Sequence, residues 1–101
     1  MNRQYEELSM IWQNMTLSIR MKRNYSPIFQ KVYGHELVHL TIKAKDKLPI
    51  TSTGFKSIFL SMDQLIEAEG IVPFVDEVLN HAAQSSEWKK YYRKKGQLSL
   101  F

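Results

Sequence analysis

Residues 38–45 alternate strictly between apolar and polar side chains, and this pattern constrains the fold more than any other in the chain. The apolar positions are Val38, Leu40, Ile42 and Ala44, and the polar positions are His39, Thr41, Lys43 and Lys45. Because successive side chains of a strand point to opposite faces of a sheet, a period of two residues predicts a strand with one buried face. Such a strand needs partner strands and a layer that covers its apolar face.

Two other segments favour strands. Residues 17–21 alternate in the same way, and we expect Pro27 to end this strand. Residues 50–60 are rich in β-branched and aromatic side chains around Gly54, which predicts a third strand with a bulge or kink.

The N-terminal segment is predicted to be helical. Tyr5, Leu8 and Trp12 would lie along one face of a short helix over residues 5–13. This helix would supply one of the elements that pack with the sheet.

The C-terminal third also favours helices. Ser61 followed by Gln64 fits a capping box for a short helix that ends at Gly70. Pro73 suits the first turn of a second helix, whose apolar stripe is expected to pack on the sheet. That stripe consists of Val75, Val78, Leu79 and Ala82. A third helix, basic and aromatic, is expected to begin after a serine cap at position 85 or 86.

The order of these elements predicts an α+β domain. Its small antiparallel sheet of about three strands would pack with the N-terminal helix and with two or three C-terminal helices. With 101 residues, of which 44% are hydrophobic, the chain can bury one core, so we expect a single domain over residues 1–96. Gly96 follows two lysines and is expected to end the last helix as a C-cap, which would release residues 97–101 as a flexible arm.

The composition excludes several classes of protein. There are no cysteines, which excludes a disulfide scaffold and cysteine-based zinc or redox chemistry. No apolar run approaches the roughly 18 residues of a membrane span, and the N-terminal residues lack the apolar stretch of a signal peptide. The sequence therefore predicts a cytoplasmic protein with no membrane partner, and it leaves the oligomeric state open.

A short motif occupies the last five positions, which are Gln97, Leu98, Ser99, Leu100 and Phe101. It resembles the linear motif by which bacterial replication and repair proteins dock on the DNA sliding clamp. The pattern of that motif is glutamine, leucine, serine or aspartate, leucine, phenylalanine, and all five positions match. The resemblance covers these five residues alone. It implies that Leu100 and Phe101 fill a hydrophobic cleft on the clamp, while the Gln97 amide binds in a separate polar subsite.

The same residues have a purely structural interpretation. Leu98, Leu100 and Phe101 would also suit a last strand or a hydrophobic tail folded back on the core. The position of Gly96 favours the arm over this alternative.

The net charge of +4 is concentrated beside the motif. Residues 87–101 contain five basic side chains and one acidic side chain, whereas residues 1–86 contain nine of each. Bases interleaved with aromatic rings suit phosphate contact and base stacking on single strands. The candidate nucleic-acid contacts are Trp88, Lys89, Lys90, Arg93, Lys94 and Lys95. Alternatively, the i, i+3, i+4 spacing of Trp88, Tyr91 and Tyr92 places the rings in the core and leaves the bases as a solvated face.

A second motif is weaker. His35, Glu36 and His39 spell the H-E-x-x-H pattern of zinc metallopeptidases, which requires a helix, a third ligand and a substrate cleft. The alternation over residues 38–45 favours a strand instead, with His39 on its polar face. Residues 40–45 offer neither a histidine nor a glycine for a third ligand in the usual short extension. We therefore expect no metal site and no cofactor, and a small zinc peptidase remains an alternative.

The remaining signals favour a protein that binds other macromolecules without catalysing a reaction. The chain has no phosphate-binding glycine loop and no glycine-flanked serine elbow. Residues 49–57 resemble a block in small uncharacterised proteins of bacterial mobile elements. This resemblance does not indicate any particular activity. The sequence predicts a non-enzymatic adaptor or modulator of DNA replication or repair, with the sliding clamp as partner and DNA as a candidate second partner. A structural or nucleic-acid-binding protein of a mobile element, with a packed tail, is the other alternative. Whether the protein recruits itself to the clamp or excludes other proteins from it stays open.

Overall fold

A four-stranded antiparallel sheet and four helices make up the part of the chain that the computed structural model describes, which is residues 5–98, with side chains over residues 6–94. The strands are β1 (Tyr5–Trp12), β2 (Met15–Lys22), β3 (Leu37–Ala44) and β4 (Phe55–Ser61); the helices are α1 (Pro27–Tyr33), α2 (Met62–Glu67), α3 (Ile71–Ala82) and α4 (Ser86–Leu98). The strands lie in chain order across the sheet. The α+β prediction is confirmed, with four strands in place of about three.

The additional strand is β1, which forms where the sequence predicts an N-terminal helix. That helix prediction is therefore wrong. β1 pairs with β2 over its whole length, from Tyr5 opposite Lys22 to Trp12 opposite Met15. A two-residue turn joins them, and both of its residues, Gln13 and Asn14, have positive φ angles of 49° and 64°. Positive φ at both central residues is the requirement of a type I′ hairpin turn, whose twist matches that of the flanking strands.

The core lies on one face of this sheet. In β2 and β3 the alternating apolar residues predicted from the sequence are buried, except for the half-buried Ala44. Leu17, Ile19, Val38, Leu40 and Ile42 are fully excluded from solvent. The helices α3 and α4 add further buried side chains to the same cluster, among them Val75, Leu79 and Trp88. The strand prediction for residues 38–45 and the helix prediction after Pro73 are therefore confirmed.

Helix α1 is a short element that the sequence patterns did not predict. Pro27 does not end a strand but occupies the first turn of α1. An N–H at that position has no acceptor within the helix, so proline, which lacks the N–H, loses no hydrogen bond there. The Ser26 hydroxyl accepts a hydrogen bond from the Phe29 N–H at 3.2 Å, and Gly34 ends the helix with a φ of 77°. None of its side chains is buried, and its apolar residues Ile28 and Val32 are exposed. The caps at the two ends of α1 are therefore its clearest sequence signal.

The prediction of a third strand over residues 50–60 is correct from Phe55 onward. Before it, Leu48 and Thr51 form an isolated bridge, and the chain bends to Gly54. Gly54 is buried with a φ of 78°, and its carbonyl accepts a hydrogen bond from the Ala44 N–H at 2.7 Å. This bond fixes the start of β4 beside the end of β3.

The sheet and the last two helices are joined by two tryptophans. The rings of Trp12 and Trp88 lie 5.7 Å apart between centroids, and the Trp12 Nε1–H donates to Asn80 Oδ1 in α3 at 2.8 Å. Both indoles are buried. Helices α3 and α4 are thereby held at the turn end of the β1–β2 hairpin.

Within residues 5–98, no helix is both long enough and apolar enough to cross a membrane.

Candidate functional site

Helix α4 carries most of the residues that the sequence singled out. Ser85 caps it, because its hydroxyl accepts a hydrogen bond from the Trp88 N–H at 3.1 Å. Tyr91 donates its hydroxyl hydrogen to Asp46 Oδ1 at 3.1 Å, which ties the second turn of the helix to the loop after β3. These contacts position α4 against the body of the domain.

The predicted nucleic-acid contacts on α4 separate into two groups. Trp88 is only 4% exposed, so its ring packs in the core and is not available to stack on a base. The basic residues Lys89, Lys90, Arg93 and Lys94 are exposed. Lys95 is described by its backbone alone. Burial therefore makes Trp88 unsuitable as a stacking contact, and the bases form a solvated face. Tyr92, which the spacing of the rings places in the core, is 44% exposed.

The motif at residues 97–101 begins within this helix. α4 continues through Gly96 to Leu98, so the prediction that Gly96 is a C-cap is wrong. A glycine costs a helix interior only about 1 kcal/mol relative to alanine, and five of the seven residues before it are lysine or arginine, which have good helix propensity. Gln97 and Leu98 are described by their backbone alone, and the predicted positions Ser99, Leu100 and Phe101 lie outside the described residues.

The H-E-x-x-H residues do not form the geometry of a zinc peptidase. His39 lies in β3, where its Nε2 is 2.8 Å from Ser57 Oγ of β4. His35 precedes the strand, and its Nε2 lies 3.2 Å from Asp63 Oδ2 at the start of α2. Extended backbone separates residues four apart by about 13 Å, compared with about 6 Å in a helix. Among the described residues there is no group of three or more histidine, aspartate or glutamate side chains that could hold a metal ion.

The sheet has a second face, which points away from the core. The strand registers align its side chains in rows that cross the sheet. One row consists of Lys22, His39 and Phe59; the next consists of Glu7, Arg20, Thr41 and Ser57; a third consists of Ser9, Ser18, Lys43 and Phe55. Most of these side chains are exposed, and His39 and Thr41 are half-buried. We call this surface the outer face.

Three rings come together on the outer face. Phe59 stacks on His39 with ring centroids 4.5 Å apart and planes inclined by 25°. Tyr25, in the loop before α1, contacts both rings at centroid distances of 5.0 Å and 5.2 Å. We call Tyr25, His39 and Phe59 the ring cluster. Lys22 Nζ lies 5.2 Å from the centroid of the Tyr25 ring, within the range of a cation–π contact.

The cations near the ring cluster differ in their pairing. Arg23 donates to Glu36 Oε2 at 2.7 Å, and this hydrogen bond raises the pKa of the Arg23 guanidinium above its usual value. Arg20 donates to Glu7 Oε1 at 2.7 Å. Lys43 is exposed in the row that also contains Phe55. The three rows together contain one carboxylate and three cationic side chains, so the outer face has a net positive charge.

Two depressions meet on this side of the molecule. A hollow of about 290 Å³ on the outer face is lined by Glu7, Ser18, Arg20, Thr41, Lys43 and Phe55. A larger groove of about 1030 Å³ runs along the turn end of the sheet and is lined by Gln13, Asn14, Met15, Thr16, Ser18, Lys43, Ala44, Lys45, Asp46 and Tyr92. Ser18 and Lys43 belong to both. The groove therefore leads from the outer face to helix α4.

Comparison with known proteins assigns the family. The sequence model of a family described as the KlcB third domain matches residues 5–88. The chain belongs to the KlcB third domain family. The match spans the sheet and reaches the first turn of α4, so the bases after Trp88 and the residues of the motif lie beyond the family-matched part. No curated protein and no solved structure matches the chain.

Sequence reasoning missed the ring cluster, although part of its signal was present. Ile58 and Leu60 point toward the core, so the alternation of β4 places Phe55, Ser57 and Phe59 on the opposite face. The two phenylalanines lie four residues apart, which is two periods of a strand, so the sequence indicates that both are on the same exposed face. Their approach to His39 and Tyr25 depends on the register between strands, which no single segment contains.

Proposed function

We propose that the chain is a non-enzymatic adaptor or modulator of DNA replication or repair that docks on the bacterial sliding clamp through residues 97–101. The observation that carries this proposal is the match of all five positions to the clamp-binding pattern. The motif follows the family-matched domain and is borne by a helix whose first turns are fixed to the core. A folded domain that displays a linear motif is compatible with docking.

Docking as an extended peptide requires the end of α4 to unwind. Gln97 and Leu98 lie in its last turn, and the motif binds its clamp partners in an extended form, which the resemblance implies. Gly96 makes this release inexpensive, because glycine contributes about 1 kcal/mol less than alanine to a helix and the last turn of a helix frays readily. Gly96 thus acts as a weak point between the fixed and the released part of α4.

Two apolar anchors would supply most of the affinity. Burying Leu100 and Phe101 in preformed pockets is worth about 1.5–3 kcal/mol each. Ordering the peptide and losing rigid-body freedom removes several kcal/mol. The expected dissociation constant is therefore on the order of micromolar.

The test is a binding titration of the whole chain against a purified bacterial clamp, followed by calorimetry or fluorescence anisotropy. Leu100→Ala and Phe101→Ala should each weaken binding by about tenfold or more, because each loses an anchor of about 1.5–3 kcal/mol. The matched control is Ser99→Asp, which stays within the clamp-binding pattern and should bind like the unaltered chain.

A deletion of residues 97–101 separates docking from packing. If the motif acts as a docking arm, the deletion should abolish clamp binding and leave the thermal midpoint nearly unchanged, because an arm that does not pack on the core contributes little to stability. A midpoint lowered by many degrees would support the alternative in which the tail packs on the core. If Leu100→Ala and Phe101→Ala both bind the clamp as tightly as the unaltered chain, the motif is coincidental.

A further inference from the structure

Three aromatic side chains are exposed on the outer face of the sheet. Phe59 is 53% exposed, Phe55 is 50% exposed and Tyr25 is 44% exposed. Apolar side chains grouped on one surface commonly mark a binding site, whereas singly scattered ones do not. The three rings lie on one side of the sheet, the two phenylalanines in β4 and Tyr25 in the loop before α1.

The ring cluster is held in place before any partner binds. The stack of Phe59 on His39 and the edge contact from Tyr25 fix three rings against one another. The hydrogen bond between His39 Nε2 and Ser57 Oγ, 2.8 Å long, fixes the orientation of the imidazole beneath the phenyl ring. A preorganised ring surface loses little conformational entropy on binding a flat ligand.

A second stacking position lies along the same strand. Phe55 is four residues before Phe59 and on the same face, so the two rings are separated by about 13 Å of strand. The hollow of about 290 Å³ adjoins Phe55 and is lined by the hydroxyls of Ser18 and Thr41, by Lys43 and by the ion pair of Arg20 with Glu7. Rings therefore alternate with polar and charged groups, in contrast to the continuous apolar groove that an amphipathic helix of another protein would require.

The charges match a polyanion. Lys22 flanks the ring cluster and Lys43 flanks Phe55, each directly beside an exposed ring. Lys43 also lines the groove that continues to Tyr92, one turn of helix from the exposed bases of α4. A basic track with rings along it is the common design of surfaces that bind single-stranded nucleic acid without sequence preference.

We propose that the outer face of the sheet binds single-stranded nucleic acid. Bases stack on Phe59, Tyr25 and Phe55, and phosphates meet Lys22 and Lys43. Single strands are preferred over duplexes, because the ring faces can reach only bases that are not already stacked and paired within a helix. The site is distinct from the clamp motif, so deletion of residues 97–101 leaves its affinity unchanged.

The experiment is a titration of the whole chain against a fluorescein-labelled oligothymidine at low salt, read by anisotropy, with an unlabelled duplex as competitor. Phe59→Ala and Tyr25→Ala should each weaken binding by about five- to hundredfold, the range measured when a stacking ring is removed. Phe59→Trp should keep the affinity, since a larger ring stacks at least as well. Tyr33→Ala is the matched control, because Tyr33 is an exposed ring on α1 that is not part of the ring cluster.

Charge variants test the phosphate contacts separately. Lys43→Gln should reduce the slope of log affinity against log salt by about 0.7, the value for one phosphate contact to a single strand. Circular dichroism and the thermal midpoint of each variant confirm that it is folded; should Phe59→Ala fail to fold, Phe59→Leu removes the ring and keeps apolar volume.

Three results would overturn the proposal. One is the absence of binding at low salt, and another is duplex competition as strong as that of the unlabelled single strand. The third is unchanged affinity in Phe59→Ala and Tyr25→Ala while a variant with the bases of α4 replaced by glutamine loses binding, which would assign the interaction to α4 alone. An outer face that binds another protein instead would give the first of these results.

Discussion

Replacement of Gly54 by alanine should destabilise the domain through two separable effects. The first is its φ of 78°, which an L-residue adopts at a cost of roughly 1–2 kcal/mol. The second is space, because a Cβ at this position would lie 2.5 Å from the Ala44 carbonyl oxygen and 3.0 Å from that of Asp46. Both neighbours are backbone atoms, so the start of β4 must move and strain its 2.7 Å hydrogen bond to Ala44.

Gly34 offers a matched control for the first effect. Its φ is 77°, nearly the same, but a Cβ there meets nothing within 4 Å. Alanine also restricts the unfolded chain, which returns about 0.4–1 kcal/mol in both variants. Gly34→Ala should therefore cost roughly 1 kcal/mol or less, whereas overpacking raises the cost of Gly54→Ala to roughly 2–4 kcal/mol.

Thermal unfolding followed by circular dichroism measures the difference. At about 4–8 °C per kcal/mol for a domain of this size, Gly54→Ala should lower the midpoint by roughly 8–32 °C, and Gly34→Ala by about 8 °C or less. Equal midpoints for the two variants would refute the reasoning, because they would mean that the close approach between β3 and β4 carries no cost beyond φ. A midpoint that falls further for Gly34→Ala would refute it as well.

Two further predictions concern helix α4. Gly96→Ala should strengthen the last turn of the helix by up to about 1 kcal/mol and so weaken clamp binding by up to about fivefold in the same titration; tighter binding would show that the motif docks as a helix. In urea unfolding, Trp12→Phe should lower the free energy of unfolding by about 1–3 kcal/mol more than Trp88→Phe. The reason is that the Trp12 Nε1–H donates to Asn80, whereas among the described residues the buried Trp88 Nε1 has no hydrogen-bond partner. Equal losses in the two variants would contradict that difference.

The sequence predicts those elements whose burial pattern is regular. β3 has a strict period of two because one face packs on the core, and α3 has a clear stripe because Val75 and Leu79 are buried. The sequence of β1 favours a helix because an apolar residue, Ile11, interrupts the alternation of the inward-facing Leu8, Met10 and Trp12; its side chain is 72% exposed on the other face. Because Ile11 interrupts the alternation, the spacing of three and four residues between Tyr5, Leu8 and Trp12 fits the sequence equally well.

Features that depend on pairing between segments could not be predicted. The ring cluster requires the register that places His39 opposite Phe59 and a loop that brings Tyr25 to the same point. The continuation of α4 through Gly96 depends on the preceding helix, which outweighs the preference of glycine for a C-cap. The resemblance of residues 97–101 to the clamp-binding motif is the opposite case, since the five residues are contiguous and the resemblance is apparent without any structure.

The chain order of the four strands has a consequence for how the domain folds. Each hydrogen-bonded strand pair joins segments adjacent in the chain, so the contacts of the sheet are local and favour rapid folding. The contact between Trp12 and Trp88 is different, because it spans most of the chain. During synthesis, residues 5–61 emerge and can pair before α4 has been made. Until that helix arrives, the inner side of the finished sheet stays open around Trp12, and this interval is when the nascent chain is most exposed to aggregation.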